Sequence, residues 1–217
     1  MNEPAVTADS PRSDRSAIRL VIFDMDDVLL RYDVEARRAA IGALAGLTVA
    51  DVERLIWTSG LEDAADAGRL TPEAYLDAIA SALGVPFGRE DWRRTRALAM
   101  TLDPAVLALA ARVAERTPVA LLTNNGFIMK EHFDVLVPEL RTLFGLSMHV
   151  AAEFGTKKPD PAIYNGVAAL HGVAPPQAVM IDDKSANVEG ARAAGLQAHR
   201  FTGLAELELF LKGLSLI

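Results

Sequence analysis

The chain has 217 residues, 51% hydrophobic and 24% charged, which suits one domain with a substantial core and a smaller insert. Its net charge of −7 argues against a basic surface for nucleic acid, and its lack of cysteine removes disulfides, thiol nucleophiles and cysteine-ligated metals. No apolar run approaches the roughly 18 residues needed to cross a bilayer, so neither a membrane nor a nucleic-acid partner is expected, and a cytoplasmic location fits.

Residues 1–16 are polar, carry two prolines and mixed charge, and lack the apolar middle of a signal peptide. They read as a disordered tail. Leu20-Val21-Ile22-Phe23 is a short continuous apolar run and reads as a buried strand. Asp24 stands where that strand should end, and Asp26 follows two residues later, on the same side in extended geometry. Two carboxylates so close repel unless a positive charge sits between them, and a hard divalent cation with oxygen ligands supplies one. Taken alone, the stretch is equally compatible with a solvated, Asp-rich turn.

Val34 to Ala45 is rich in Ala and Arg and predicts a helix. Thr48 to Gly60 predicts a second, capped by Thr48 and broken at Gly60-Leu61-Glu62-Asp63. Thr71-Pro72 opens a third, running through Tyr75, Leu76, Ile79 and Leu83 to Gly84. Arg89 to Met100 predicts a fourth, and no strand is expected between Asp33 and Met100. Strand and helix then alternate. Helices are expected over Ala105–Arg116, Phe127–Leu146 (interrupted at Pro138), Pro161–His171 and Ala186–Ala194. Strands are expected at Val119–Leu122, Ser147–Ala151, Ala178–Ile181 and Gln197–Phe201. This pattern is α/β: a Rossmann-like, mainly parallel sheet with helices on both faces and an all-helical insertion. The boundaries are a core of 17–32 and 101–217 and an insert of 33–100.

Three buried strands end in polar groups: Asp24 and Asp26, Thr123 and Asn124, Asp182 and Asp183. In an open α/β sheet such strand ends share one crevice. Gly155-Thr156-Lys157-Lys158-Pro159-Asp160-Pro161 adds a lysine on a turn before a helix. Acid pair, hydroxyl, lysine and second acid pair suit phosphoryl transfer, because an anionic nucleophile reaches a phosphate dianion only when charge is neutralised. Asp24 would attack phosphorus and form an aspartyl-phosphate, and Asp26 would protonate the leaving oxygen and then activate water. The Thr123 hydroxyl and main-chain N–H groups near Met25–Asp27 and Asn124 would hold phosphate oxygens.

The ordered set Asp24-Met25-Asp26, Thr123-Asn124, Lys158 to Tyr164 and Ile181-Asp182-Asp183 resembles the haloacid dehalogenase superfamily, over about residues 18–212. The resemblance implies a Mg²⁺-dependent phosphatase acting on a small phosphorylated metabolite. It assigns Asp24, Asp26 (through its carbonyl) and Asp183 to the metal, with Asp182 behind them. It makes Lys158, not the solvated Lys157, the functional lysine, and 33–100 a helical cap. Asp27 departs from the family's usual Gly or Asn, and an Asp at Asp26 favours phosphate over halide chemistry. The motif Asp182-Asp183 with Asn187, and the cap run from Gly68 to Tyr75, look most like sugar-phosphate phosphatases and the phosphatase domain fused to epoxide hydrolases. The rivals are a phosphomutase of the same superfamily, a phospho-accepting signalling module and a non-catalytic binding protein. The order of acid pair, insert and second acid pair disfavours the signalling module, and the complete residue set disfavours the binding protein.

Several neighbours read as structural. Asn125 and Gly126 are expected as turn residues, Trp57 and Trp92 as core, and Arg69 and Glu62 as solvated helix ends. His132, His149, His171 and His199 lack metal-ligand spacing. Nothing indicates the oligomeric state.

Overall fold

The computed structural model describes residues 17–217, so the expected tail at 1–16 lies outside the described residues. Strand β1 (Leu20–Phe23) is followed by a turn and the short β2 (Leu30–Tyr32). Helices α1 (Val34–Ala45), α2 (Val49–Val52, continued by a π-turn over Glu53–Thr58), α3 (Leu61–Asp66), α4 (Pro72–Leu83) and α5 (Arg89–Leu98) form the insert. The chain returns through β3 (Met100–Leu102), α6 (Pro104–Ala114) and β4 (Val119–Thr123). Then come α7 (Phe127–Leu136), α8 (Pro138–Phe144), β5 (Met148–Val150) and α9 (Pro161–Leu170). The last elements are β6 (Ala178–Asp182), α10 (Ser185–Ala193), β7 (Gln197–Arg200) and α11 (Leu204–Gly213).

The main sheet is five-stranded and parallel, in the order β5-β4-β1-β6-β7. β1 is central because its residues are apolar on both sides. Val21 and Phe23 enter one core with helices α6, α7, α8 and α11 and the insert. Leu20 and Ile22 enter the other, against Ile163 and Val167 of α9 and Val188 and Ala191 of α10. Each such fully buried side chain contributes about 1.5–3 kcal/mol. From β1 the chain moves outward to β4 on one side and β6 on the other, so the carboxyl end of β1 is a topological switch point, where ligands of such sheets bind.

Two expectations need correction, and one further element appears. Met100 is not helical: Met100–Leu102 pairs antiparallel with Leu30–Tyr32, Leu30 opposite Leu102, as a ribbon separate from the main sheet. Three-residue strands are too short to show alternation. Second, Gly60 does break the second helix, with φ 83°, but α3 starts at once after it. Beyond the expected elements lies α11, anchored by Leu207 and Leu211, one turn apart and fully buried. Elsewhere capping chemistry works as expected. Thr71 accepts from the Ala74 N–H with Pro72 at the first helical position, and Asp160 caps α9 likewise. Among the described residues no helix is long and apolar enough to cross a membrane.

Candidate active site

β1 delivers Asp24 to the switch point, where it is 5% exposed. Its Oδ1 accepts from the Met25 N–H at 2.8 Å and lies 2.7 Å from Lys158 Nζ. Burial pushes the Asp24 carboxyl up to about 8, against the pull of Lys158. β6 delivers Asp182, fully buried, whose Oδ2 meets Lys158 Nζ at 2.6 Å. Asn187 Nδ2 and the Lys184 N–H also donate to Asp182, so its oxygens are well occupied. For Lys158, burial disfavours the charge, but Asp24 and Asp182 outweigh it and raise the pKa above the ordinary lysine value.

One carboxylate oxygen from each of Asp24, Asp182 and Asp183 lies within 4.8 Å of the others. Asp183 Oδ1 is buried and has no hydrogen-bond partner among the described residues. An orphaned carboxylate oxygen beside two further carboxylates is an all-oxygen donor set fit for a hard divalent cation.

β4 ends in Thr123, 1% exposed, whose hydroxyl accepts from Asn125 Nδ2 at 2.7 Å. Asn125 also reaches Asp26 Oδ2 at 3.4 Å, so it is a buried part of the site and not a bare turn residue. Asn124 spends its whole side-chain amide on Lys158: Oδ1 accepts the Lys158 N–H and Nδ2 donates to the Lys158 carbonyl, both at 2.9 Å. Its side chain fixes the lysine turn, which leaves its main chain for any other ligand. Asn187 sets Asp182, and α10 passes so close to Pro159 at Gly190 that no side chain fits there. Lys158 is thus held from β4 and from α10.

Asp27 adopts φ 62°, a left-handed conformation that Gly and Asn adopt more readily than most residues. Its carboxylate turns to the following strand, accepting from the Tyr32 N–H at 3.0 Å.

Asp26 points away from the acidic cluster. Arg96 of α5 donates Nη2 to Asp26 Oδ2 at 2.7 Å and Oδ1 at 3.0 Å. Arg96 is 2% exposed and its guanidinium lies 4.0 Å from the Tyr32 ring centre. Behind it, Arg37 of α1 bonds Tyr32 Oη at 3.1 Å and Glu62 Oε1 at 2.8 Å, and Tyr75 donates to Glu62. Glu62 is therefore no solvated helix end. Burial disfavours its charge, but Arg37 and Tyr75 prevail and hold its pKa below the usual carboxylate value. Sequence reasoning missed Arg96 and Arg37. The signal was present: Trp92 and Arg96, and Arg37 and Ile41, are four apart on buried helix faces.

Core and insert enclose a pocket of about 320 Å³ whose lining includes Asp26, Tyr32, Trp57, Asp66, Arg96 and Lys157. Trp57 faces this pocket, whereas Trp92 is 2% exposed and core as expected. Lys157 is not merely solvated: it pairs with Asp63 of the insert. Arg69 is solvated, with its side chain 62% exposed. The histidines stay out of the acidic cluster; His149 and His171 pair with each other, Nε2 to Nε2 at 3.1 Å.

Residues 18–195 match the family model of haloacid dehalogenase-like hydrolases. Phosphatase MT3486 of Mycobacterium tuberculosis is 28% identical over 189 residues, covering 84% of this chain and 87% of that protein. A phosphoserine phosphatase of Thermus thermophilus is 28% identical over 225 residues, covering 83% and 87%. In fold, the chain is similar to a haloacid dehalogenase family enzyme of Bacteroides thetaiotaomicron, solved with magnesium and inorganic phosphate (TM-score 0.74, 20% identity, 85% and 94% covered). It is also similar to a hydrolase of that family from Porphyromonas gingivalis (TM-score 0.76, 20% identity, 90% and 98% covered). With its family model matched over most of its length, the chain belongs to the haloacid dehalogenase-like hydrolases.

Proposed function

We propose that the protein is a Mg²⁺-dependent phosphatase of small phosphate monoesters, working through an aspartyl-phosphate on Asp24. The observation that carries this reading is the pairing at the end of β1: a nearly buried carboxylate with a lysine ammonium 2.7 Å away and two further carboxylates beside it. Such a carboxylate is stripped of water and has a cation in place for the charge of an incoming phosphate. The curated relatives at 28% identity, both phosphatases, support the same reading.

Asp24, Asp183 and the Asp26 carbonyl would hold the ion, with Asp182 fixed behind by Lys158 and Asn187. When bound, Mg²⁺ neutralises phosphate charge and so eases nucleophilic attack. The other steps belong to side chains. Oδ1 of Asp24 is occupied by Lys158 and the Met25 N–H, and Oδ2 is without a hydrogen-bond partner among the described residues. An Asp24 oxygen attacks phosphorus, the phosphorus–oxygen bond to the alcohol breaks, and Asp26 gives its proton to the departing oxygen. Water then attacks the aspartyl-phosphate, its proton passes to Asp26, and Asp24 is restored. Lys158, Thr123 and main-chain N–H groups hold the phosphate oxygens. Helices α1–α5 act as a cap that excludes water and selects the leaving group. A pocket of about 320 Å³ fits only a small ligand. Sugar phosphates and phosphoserine are the substrate classes to compare.

The test is release of inorganic phosphate from p-nitrophenyl phosphate, a sugar-phosphate panel and phosphoserine in the presence of Mg²⁺. Turnover that disappears both in Asp24→Asn and with EDTA supports the proposal. Turnover that persists in Asp24→Asn sinks it.

A further inference from the structure

The acid/base of the proposed reaction is held by the insert and only weakly by the core. Asp24 and Asp182 are fixed by core groups: the Met25 N–H, Lys158, Asn187 and the Lys184 N–H. The Asp26 carboxylate has no main-chain donor among the described residues. Its one core contact is Asn125 Nδ2, at a long 3.4 Å, whereas Arg96 Nη2 of α5 bonds both its oxygens at 2.7 and 3.0 Å. Arg96 is in turn built into place. It stacks on Tyr32, whose hydroxyl accepts from Arg37, and Arg37 is locked by Glu62, which Tyr75 also bonds. The chain of contacts joins α4, α3, α1, β2 and α5 before it ends on Asp26. Arg96 Nε is buried without a partner, so Asp26 is the one carboxylate the guanidinium serves among the described residues.

Resting on the phosphatase reading above, we infer that Arg96 is a positioning residue: through it the insert aims the Asp26 carboxylate at the leaving-group oxygen. A misaimed acid fails at one step, proton delivery to the departing alcohol. The defect therefore depends on how much the leaving group needs a proton. An alkoxide needs it strongly, and p-nitrophenolate, a stable anion, needs it hardly at all. The value of kcat/KM covers the events up to departure of that group, before water enters.

The experiment measures kcat/KM of wild type, Arg96→Gln and Arg96→Lys on an alkyl phosphate and on p-nitrophenyl phosphate with Mg²⁺. We expect Arg96→Gln to lose about 100-fold on the alkyl ester, the usual scale of general-acid catalysis, while p-nitrophenyl phosphate hardly changes. Arg96→Lys, which keeps the charge and the buried stem, should show the same contrast in smaller amount. In an Asp26→Asn background, Arg96→Gln should add no further loss on the alkyl ester, because the two residues act as one unit. Equal losses on both esters, or an undiminished second loss in the Asp26→Asn background, would overturn the inference while the phosphatase reading stands. A wild-type protein that turns over neither ester overturns the phosphatase reading and this inference with it.

Discussion

At the scale of single residues, Lys158 is the charge on which the site depends. It separates Asp24 from Asp182 at 2.7 and 2.6 Å, and its side chain is 1% exposed. Lys158→Met leaves two buried carboxylates facing each other. Without metal we expect a loss of about 3–5 kcal/mol in urea unfolding, the cost of breaking a buried pair. Asp24 adds a pH dependence. Its carboxyl is raised to about 8 by burial, so below that pH the metal-free protein holds a proton that a cation must displace. Apparent Mg²⁺ affinity, read by calorimetry, should weaken as pH falls from 8 to 6, with protons released on binding. In the Asp24→Asn variant this dependence should flatten. Asp24, Asp182 and Thr123 were legible in the sequence because each stands where an apolar run stops, and Lys158 because it sits in the Pro-containing turn that opens a helix. Arg96, Glu62 and Asn125 were not, since a polar residue on a helix or in a turn reads as solvated unless one knows what packs above it.

At the scale of elements, the close approach of α10 to the lysine turn can be tested by adding one atom. A Cβ at Gly190 would collide with the Pro159 carbonyl, whereas Gly213, at the end of α11, has nothing within 4 Å. Gly190→Ala should therefore destabilise by about 1–3 kcal/mol, as overpacking does. Gly213→Ala should be neutral or gain up to about 1 kcal/mol of helix propensity. Thermal unfolding of the two variants side by side reads the difference. The elements that sequence reasoning placed well are those with a long apolar period or an explicit cap, such as α4 between Thr71 and Gly84. The ones it missed, β2 and β3, exist through their pairing with each other, and pairing between residues some 70 positions apart leaves no local trace.

For the whole molecule, a cation held by the acidic cluster at the switch point would be coupled to global stability. A ligand that binds the folded state alone stabilises it by about 2.7 kcal/mol at 100 times its Kd. For a chain of this size that is a rise of about 5–10 °C in Tm. Mg²⁺ added to EDTA-treated protein should give such a rise, and Asp183→Ala, which removes the carboxylate whose Oδ1 is buried without a partner among the described residues, should reduce or abolish it. The parallel sheet itself was readable from the alternation of apolar runs and helices. The way the insert meets the core was not, since it depends on contacts such as Lys157 with Asp63, and Ala65 against Gly126.

The ribbon of β2 and β3 has a meaning beyond geometry. The chain leaves the core at Asp33 and comes back at Ala99, and the Asp33 N–H donates to the Ala99 carbonyl at 2.8 Å. Exit and re-entry are thus stapled side by side, and the cost of closing that loop grows only with the logarithm of its length. The closure term itself is therefore nearly the same for a longer or a shorter segment beyond the staple. That segment can change in length or be exchanged while Asp24 and Asp182, held by core groups, keep their address; only Asp26, held by Arg96, would need a new partner.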